Sequence, residues 1–303
     1  MRRIRFGLAG AVLAFAAAAA ASAQDATPAP AATAPPAVAT ARPPAPPPRP
    51  TLTPFPTPGA PSEAAAKEGR QLLARVVESL GGKAKVARVH DMLTKGQVST
   101  ADPTGKGVTM DIQTAVVFPD HVSQQVDAPF GRLVMVATPA GAFLLGPQGP
   151  QDLPPELRDQ LLRQVLRVSM FLAGKADDPR LTATAGGTER IGAVQTRILD
   201  VVYPGVRVRW FVDPATGRIL RSAHVEEGPD GRGMTIVSDF SDFRVVDGYS
   251  IPFKLEVDTN GTKEQTLTLD EVKINAGVDP RLFEKPVPPT PAATPVPPPL
   301  PKP

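Results

Sequence analysis

The stretch DGYSIPFKLEVDTNG, residues 247–261, places Ile251, Phe253, Leu255 and Val257 on alternate positions, with Lys254, Glu256 and Asp258 between them. A period of two over this length is a β-strand with one dry face. The same alternation runs through the chain from Met92 onward. Val108, Met110, Ile112, Thr114 and Val116 point one way against Thr109, Asp111 and Gln113, and Val206, Val208, Trp210 and Val212 alternate with Arg207 and Arg209. GRLVMVATP is apolar on both faces, as a strand covered on both sides should be, and its turn TPAGA leads to a partner, FLLG. RILRSAHVEE, RGMTIVSDFSDFRVV and KEQTLTLDEVKIN follow, set off by DPATG, by GPDG and by the hairpin dipeptide Asn260-Gly261. Turns at this spacing predict an antiparallel meander of about ten or eleven strands.

Two helical patterns interrupt the strands. Ser62 is placed to cap a helix whose apolar stripe is Leu72, Leu73, Val76, Val77 and Leu80, and Gly81-Gly82 ends it. The second opens at Pro154-Pro155 and carries Leu157, Leu161, Val165, Val168 and Leu172, widened by Leu162, Leu166 and Met170, with Arg158, Asp159, Arg163 and Arg167 on the wet side. A helix this amphipathic is expected to lie across the open face of a sheet.

Proline marks the limits of the folded part. Of 38 prolines, 14 fall in residues 26–61 and 10 in residues 286–303. Neither segment can bury a core, and both favour extended polyproline conformation. The expected organisation is a signal peptide over 1–23, a Pro/Ala-rich disordered linker over 24–61, one domain over 62–286 and a Pro-rich disordered tail over 287–303. The leader MRRIRFGLAGAVLAFAAAAAASAQ has three arginines, an apolar run and the small residues Ala21-Ser22-Ala23 that a signal peptidase accepts. Its apolar run is shorter than the roughly 20 residues of a comfortable bilayer span. Cleavage before Gln24 would leave a periplasmic or secreted protein with no transmembrane span; a retained anchor is the alternative.

Composition removes several function classes. The chain has no cysteine, so it carries neither a lipoprotein acylation site nor a thiolate metal site nor a Cys nucleophile. Its 33 basic residues exceed its 30 acidic ones only through Arg2, Arg3 and Arg5; the mature chain is neutral and lacks the basic excess of nucleic-acid binders. His90, His121 and His224 fit no local metal signature, and no nucleophile elbow, phosphate loop or dinucleotide fingerprint occurs. Asp239 and Asp242 are three apart, which on a strand puts them on opposite faces. DPTGKG, at Lys106, reads as a hairpin turn rather than a phosphate loop. The expectation is a protein that is not an enzyme, with no cofactor and no metal.

Several quoted segments resemble the LolA/LolB-like family of exported lipoprotein-sorting carriers. The resemblance lies in ESLGG at a helix end, MLTKGQVST, FVDPATGRILRS, DFRVVDGYSIPFKLEV and the closing VKINAGVDPRLFEKP, where Asn275, Asp279, Phe283 and Pro286 stand at the positions of the family's terminal pattern. It implies an α+β, mainly antiparallel fold: a strongly curved, incomplete β-barrel with helices covering the concave face. It also implies an apolar hollow that binds the acyl chain of a lipid or lipoprotein, in a soluble carrier or a sensor.

A hydrocarbon chain contributes roughly 0.8 kcal/mol per buried methylene, so such a site needs no polar motif. The candidate lining is Met110, Ile112, Val116, Leu133, Met135, Val208, Trp210, Met234, Ile236, Phe253 and Leu255 on the sheet, with Leu161, Val165, Leu166 and Met170 on the lid. Ordinary core is the competing reading of each. An envelope scaffold with a filled core, whose proline-rich arms recruit a protein partner, stays open as an alternative, and an unrecognised hydrolase as a third.

Overall fold

The computed structural model describes residues 61–101, 107–129, 131–228 and 232–286. The expected signal peptide and tail, the linker apart from Pro61, and most of the turns at DPTGKG and GPDG lie outside the described residues. Ser62 Oγ accepts the Ala65 N–H at 3.2 Å and opens α1, Glu63–Ser79. Gly81 and Gly82, at φ +124° and +91°, turn the chain into the short α2, Lys83–Val86.

Six strands then run as a meander: β1 Asp91–Ala101, β2 Gly107–Val117, β3 His121–Ala128, β4 Gly131–Thr138, β5 Gly141–Gly146 and β6 Gly149–Asp152. After α3, Pro155–Arg167, and α4, Ser169–Gly174, seven more follow: β7 Thr182–Ile191, β8 Val194–Tyr203, β9 Val206–Val212, β10 Ile219–Glu227, β11 Gly233–Val246, β12 Tyr249–Thr259 and β13 Thr262–Ile274. Pairing of β1 with β13 joins the two meanders into one antiparallel sheet, in the order β6-β5-β4-β3-β2-β1-β13-β12-β11-β10-β9-β8-β7. Its ends, β6 and β7, do not pair with each other.

The sheet is strongly curved, and one helix shows it. α3 touches β3, β4 and β5 on one side and β9 on the other. In a flat sheet β4 and β9, eight strand positions apart, would be separated by about 38 Å at the usual interstrand spacing. A helix of 13 residues is only about 20 Å long, so the two arms must bend toward each other. β-Bulges supply part of the bend. The β1–β13 register shifts between Lys95 and Gly96, where a Cβ on Gly96 would stand 2.1 Å from the Thr268 carbonyl oxygen. Further shifts occur in the β7–β8, β9–β10 and β12–β13 pairings.

The segments that carry the family resemblance hold this frame together. In DPATG the Gly217 N–H donates to the Asp213 carbonyl at 2.8 Å, and Thr216 Oγ1 donates to Asp213 Oδ2 at 2.6 Å. The turn docks on α1, where Arg75 Nη1 donates to the Pro214 carbonyl and Ser79 Oγ to the Gly217 carbonyl. Asn275 Oδ1 accepts the His90 N–H at 2.9 Å and its Nδ2 donates to the Arg88 carbonyl, fastening the end of β13 to the start of β1. Buried Asp91 accepts the Ala276 and Gly277 N–H groups. Asp279 caps a 3-10 turn, Pro280–Phe283, whose Phe283 meets His121 edge-on.

Three expectations need correction. The sheet has thirteen strands rather than ten or eleven. β6 and β7 are edge strands with little apolar alternation, and β8 is buried on both faces through Thr196, Ile198, Leu199 and Val201, so neither type displays a period of two. The second helix is not continuous: Val168, at ψ 122°, separates α3 from α4. Met170, Phe171, Leu172 and Ala173 are four consecutive buried residues, which no single helical face could hide. Asp258 does not join Lys254 and Glu256 on a wet face; it is 2 % exposed, at the β12–β13 register shift. The Asn260-Gly261 hairpin forms as expected, with φ +49° and +83° at its two residues.

Candidate functional site: a covered hollow in the sheet

Between α3 and the concave face lies a cavity of about 270 Å³. That is nearly twice the ~150 Å³ of an engineered apolar cavity that accepts benzene. Its lid is formed by Leu161, Gln164, Val165 and Arg167 of α3, with Val168, Ser169 and Met170 at the break. Its floor draws on both meanders, and Leu80 closes the end nearest α1. On one arm Met135, Gln124, Thr114 and Thr94 are successive cross-strand neighbours from β4 to β1. On the other stand Trp210, Ser222, His224, Ser238, Phe240, Ile251 and Leu255. Most of the lining surface is apolar.

Seven of the fifteen sequence-predicted residues line this cavity: Val116, Met135, Leu161, Val165, Met170, Trp210 and Leu255. Met110, Ile112, Val208, Ile236 and Phe253 are buried in the packed core instead, and Leu166 packs against that core. Leu133 is buried on the same face as Met135 but outside the lining, and Met234 is half-buried at the start of β11. The strand faces were therefore readable, since Met110 and Ile112 share a face with the lining residues Thr114 and Val116. Which end of a strand meets the hollow was not, because it depends on where the helices sit.

Sequence reasoning missed the polar lining. On β10, Ser222, His224 and Glu226 alternate with Ala223 and Val225. Here Ser222 and His224 face the cavity, while Val225 is 48 % exposed. Polar residues thus face inward here, while Ala223 on the other face is buried against Ile198, Phe211 and Val237. Glu226, 2 % exposed, binds Arg167 Nη1 of α3 and lies 3.7 Å from Arg163 Nη2. Burial, reinforced by the Arg167 charge, holds the His224 imidazole down to about 3, so it is neutral at pH 7. Burial also lowers the pKa of Arg167, against the opposing pull of Glu226. Arg167 Nε, His224 Nε2 and Ser250 Oγ are buried with no hydrogen-bond partner. Of these only His224 lies in SAHVEE, whose alternation puts Ser222, His224 and Glu226 on one face without saying which face turns inward.

The other ionisable candidates do not converge. His90 sits beside Asp91, His121 beside Asp120, and His224 in the cavity. Asp239 takes a two-pronged bond from Arg221, and Asp242 pairs with Arg244. Among the described residues no group of three or more His, Asp or Glu is placed to hold a metal, and no helix is long and apolar enough to cross a membrane.

Neither a protein-family model nor a curated protein matches this sequence. Solved structures do. A DUF1329 family protein from Desulfovibrio piger aligns at TM-score 0.50 and 15 % identity, over 73 % of this chain and 97 % of its own. A LolA superfamily protein from Nitrosomonas europaea aligns at TM-score 0.50 and 12 % identity, over 72 % of this chain and 98 % of its own. A putative outer membrane lipoprotein-sorting protein domain from Vibrio parahaemolyticus reaches 0.47 at 12 % identity, over 73 % and 97 %. With the open thirteen-stranded sheet and its covering helices, the two alignments at TM-score 0.50 establish that the chain has a LolA-like fold.

Proposed function

We propose that this protein is a non-catalytic carrier or sensor of the bacterial periplasm that sequesters an acyl chain of a lipid or lipoprotein. The observation that carries the reading is the mostly apolar cavity left between α3 and the sheet. Hydrocarbon gains affinity there by leaving water, at roughly 0.8 kcal/mol per methylene. The leader-like N-terminus supports export, and the fold shared with a LolA superfamily protein supports a carrier or sensor. A cavity of this size takes a segment of one chain; a ligand with several chains requires α3 to move away from the sheet.

Titration of the full chain with the fluorescent fatty acid cis-parinaric acid tests the reading. We expect saturable binding, at one site, that falls at least tenfold in Leu255→Trp, a variant that fills the hollow. Its circular dichroism and melting temperature should stay near wild type. Absence of saturable binding by the intact protein overturns the reading and favours an envelope scaffold that recruits its partner through the proline-rich arms.

A further inference from the structure

The polar corner of the cavity has more binding capacity than the fold uses. Arg167 is 10 % exposed in its side chain and gives only Nη1 to Glu226, which leaves its Nε–H in the cavity wall without a partner. The His224 side chain is 12 % exposed, and its Nε2 stands 3.8 Å from Glu226, beyond hydrogen-bond reach. A buried donor left unpaired costs stability, and the polar residues Ser222 and His224 on the inner face of β10 forfeit apolar packing there. Local rules broken in this way mark sites kept for a purpose other than folding.

The charges at this corner fix the kind of ligand. Arg163 and Arg167 come from α3, Glu226 and neutral His224 from β10, so the corner carries one net positive charge in a poorly hydrated setting. Arg163 is 37 % exposed, which puts the corner at the seam where α3 meets solvent, whereas Trp210 and Val116 lie deep in the hollow. An amphiphile with its tail among the apolar residues would bring its head to this seam.

We infer that the Arg167–His224 corner binds the anionic head of a single-chain amphiphile, a carboxylate, with Arg167 Nε–H and His224 Nε2–H as its donors. This rests on the acyl-chain reading above and narrows it: the preferred ligand is a free fatty acid rather than an esterified or amide-linked chain. Charge-assisted hydrogen bonds to guanidinium are the strong ones, and a carboxylate here would meet an arginine already stripped of water.

Comparison of cis-parinaric acid with its methyl ester separates the two claims, because the probes share a tail and differ only in the head. The acid should bind about tenfold or more tightly. That ratio should fall severalfold in the charge-balanced double variant Arg167→Met/Glu226→Gln, which removes the Nε–H donor but keeps the Arg163 charge, and by less in His224→Phe. Equal binding of acid and ester by the wild type overturns the head-group site and leaves the acyl-chain reading standing; no binding of either overturns both. Should the double variant fail to fold, carboxyl-¹³C myristate on the wild-type protein decides. Next to Arg167 its carboxyl should titrate below its value in the soluble free acid. A midpoint unchanged or raised places the head away from the corner.

Discussion

α1 and α3 both lie on the concave side of one sheet, yet one is packed and the other covers a space. α1 inserts Leu72, Leu73, Val76, Val77 and Leu80 into the main core, five aliphatic residues within nine positions. α3 buries only Leu161, Gln164 and Val165, and it brings Arg167 to Glu226 where further apolar residues would be needed to fill the gap. The contrast lies in what each helix offers the sheet, together with the polar inner face that β10 turns toward α3. A helix that presents enough aliphatic volume closes the concavity, and one that presents polar groups in part of its inner face leaves it open.

Truncation of the two helices should therefore have unequal costs. Leu73→Ala removes packed volume and is expected to cost about 2–5 kcal/mol in urea unfolding. Leu161→Ala, which enlarges a space already present, should cost clearly less. Equal costs would break the distinction between a filled and an unfilled half.

A second difference is the pH dependence that His224 adds on the α3 side. With its folded pKa near 3 and an unfolded value of about 6.5, His224 takes up its proton in the unfolded state first. Its contribution is complete above the unfolded value and is lost as pH falls toward 3, at up to about 1.4 kcal/mol per pH unit. Unfolding of wild type and His224→Phe measured between pH 4 and 7 should show the shallower slope in the variant. Parallel curves would mean that the imidazole is hydrated in solution.

Hydrogen exchange sharpens the comparison further. Amides of α3 should exchange faster than those of α1, because α3 is held by fewer apolar contacts, and saturating cis-parinaric acid should slow α3 selectively. Uniform protection of both helices would argue against a lid. The smallest effect belongs to the start of α1. Ser62→Ala removes the cap on the Ala65 N–H and should cost about 1 kcal/mol, with probe binding unaltered.

Much of the architecture was legible before any coordinates. The alternation at Ile251–Val257, the Asn260-Gly261 turn and the stripe of α1 each carry a local physical signature, and each appears where it was read. Strands whose conformation rests on their neighbours were not legible: β7 contains TATAGG and is held by pairing with β8 and by packing of α1 upon it. Nor was the break at Val168, since the periodicity continues through it while the need to bury four consecutive residues does not. For the site, Trp210 and Val165 were readable as dry positions, but the inward turn of His224 was hidden because an isolated SAHVEE reads equally well with either face inside.

The residues alone settled that this chain makes an antiparallel sheet with two amphipathic helical regions, because periods of two and 3.6 are properties of the local backbone. The hollow is a different matter. Its size and its polar corner follow from how far the two arms bend and from which residues of α3 meet them across long separations, 59 positions between Arg167 and Glu226. No local pattern specifies empty volume, since a void is set by the misfit among distant side chains, and that misfit exists only once the sheet has closed around it.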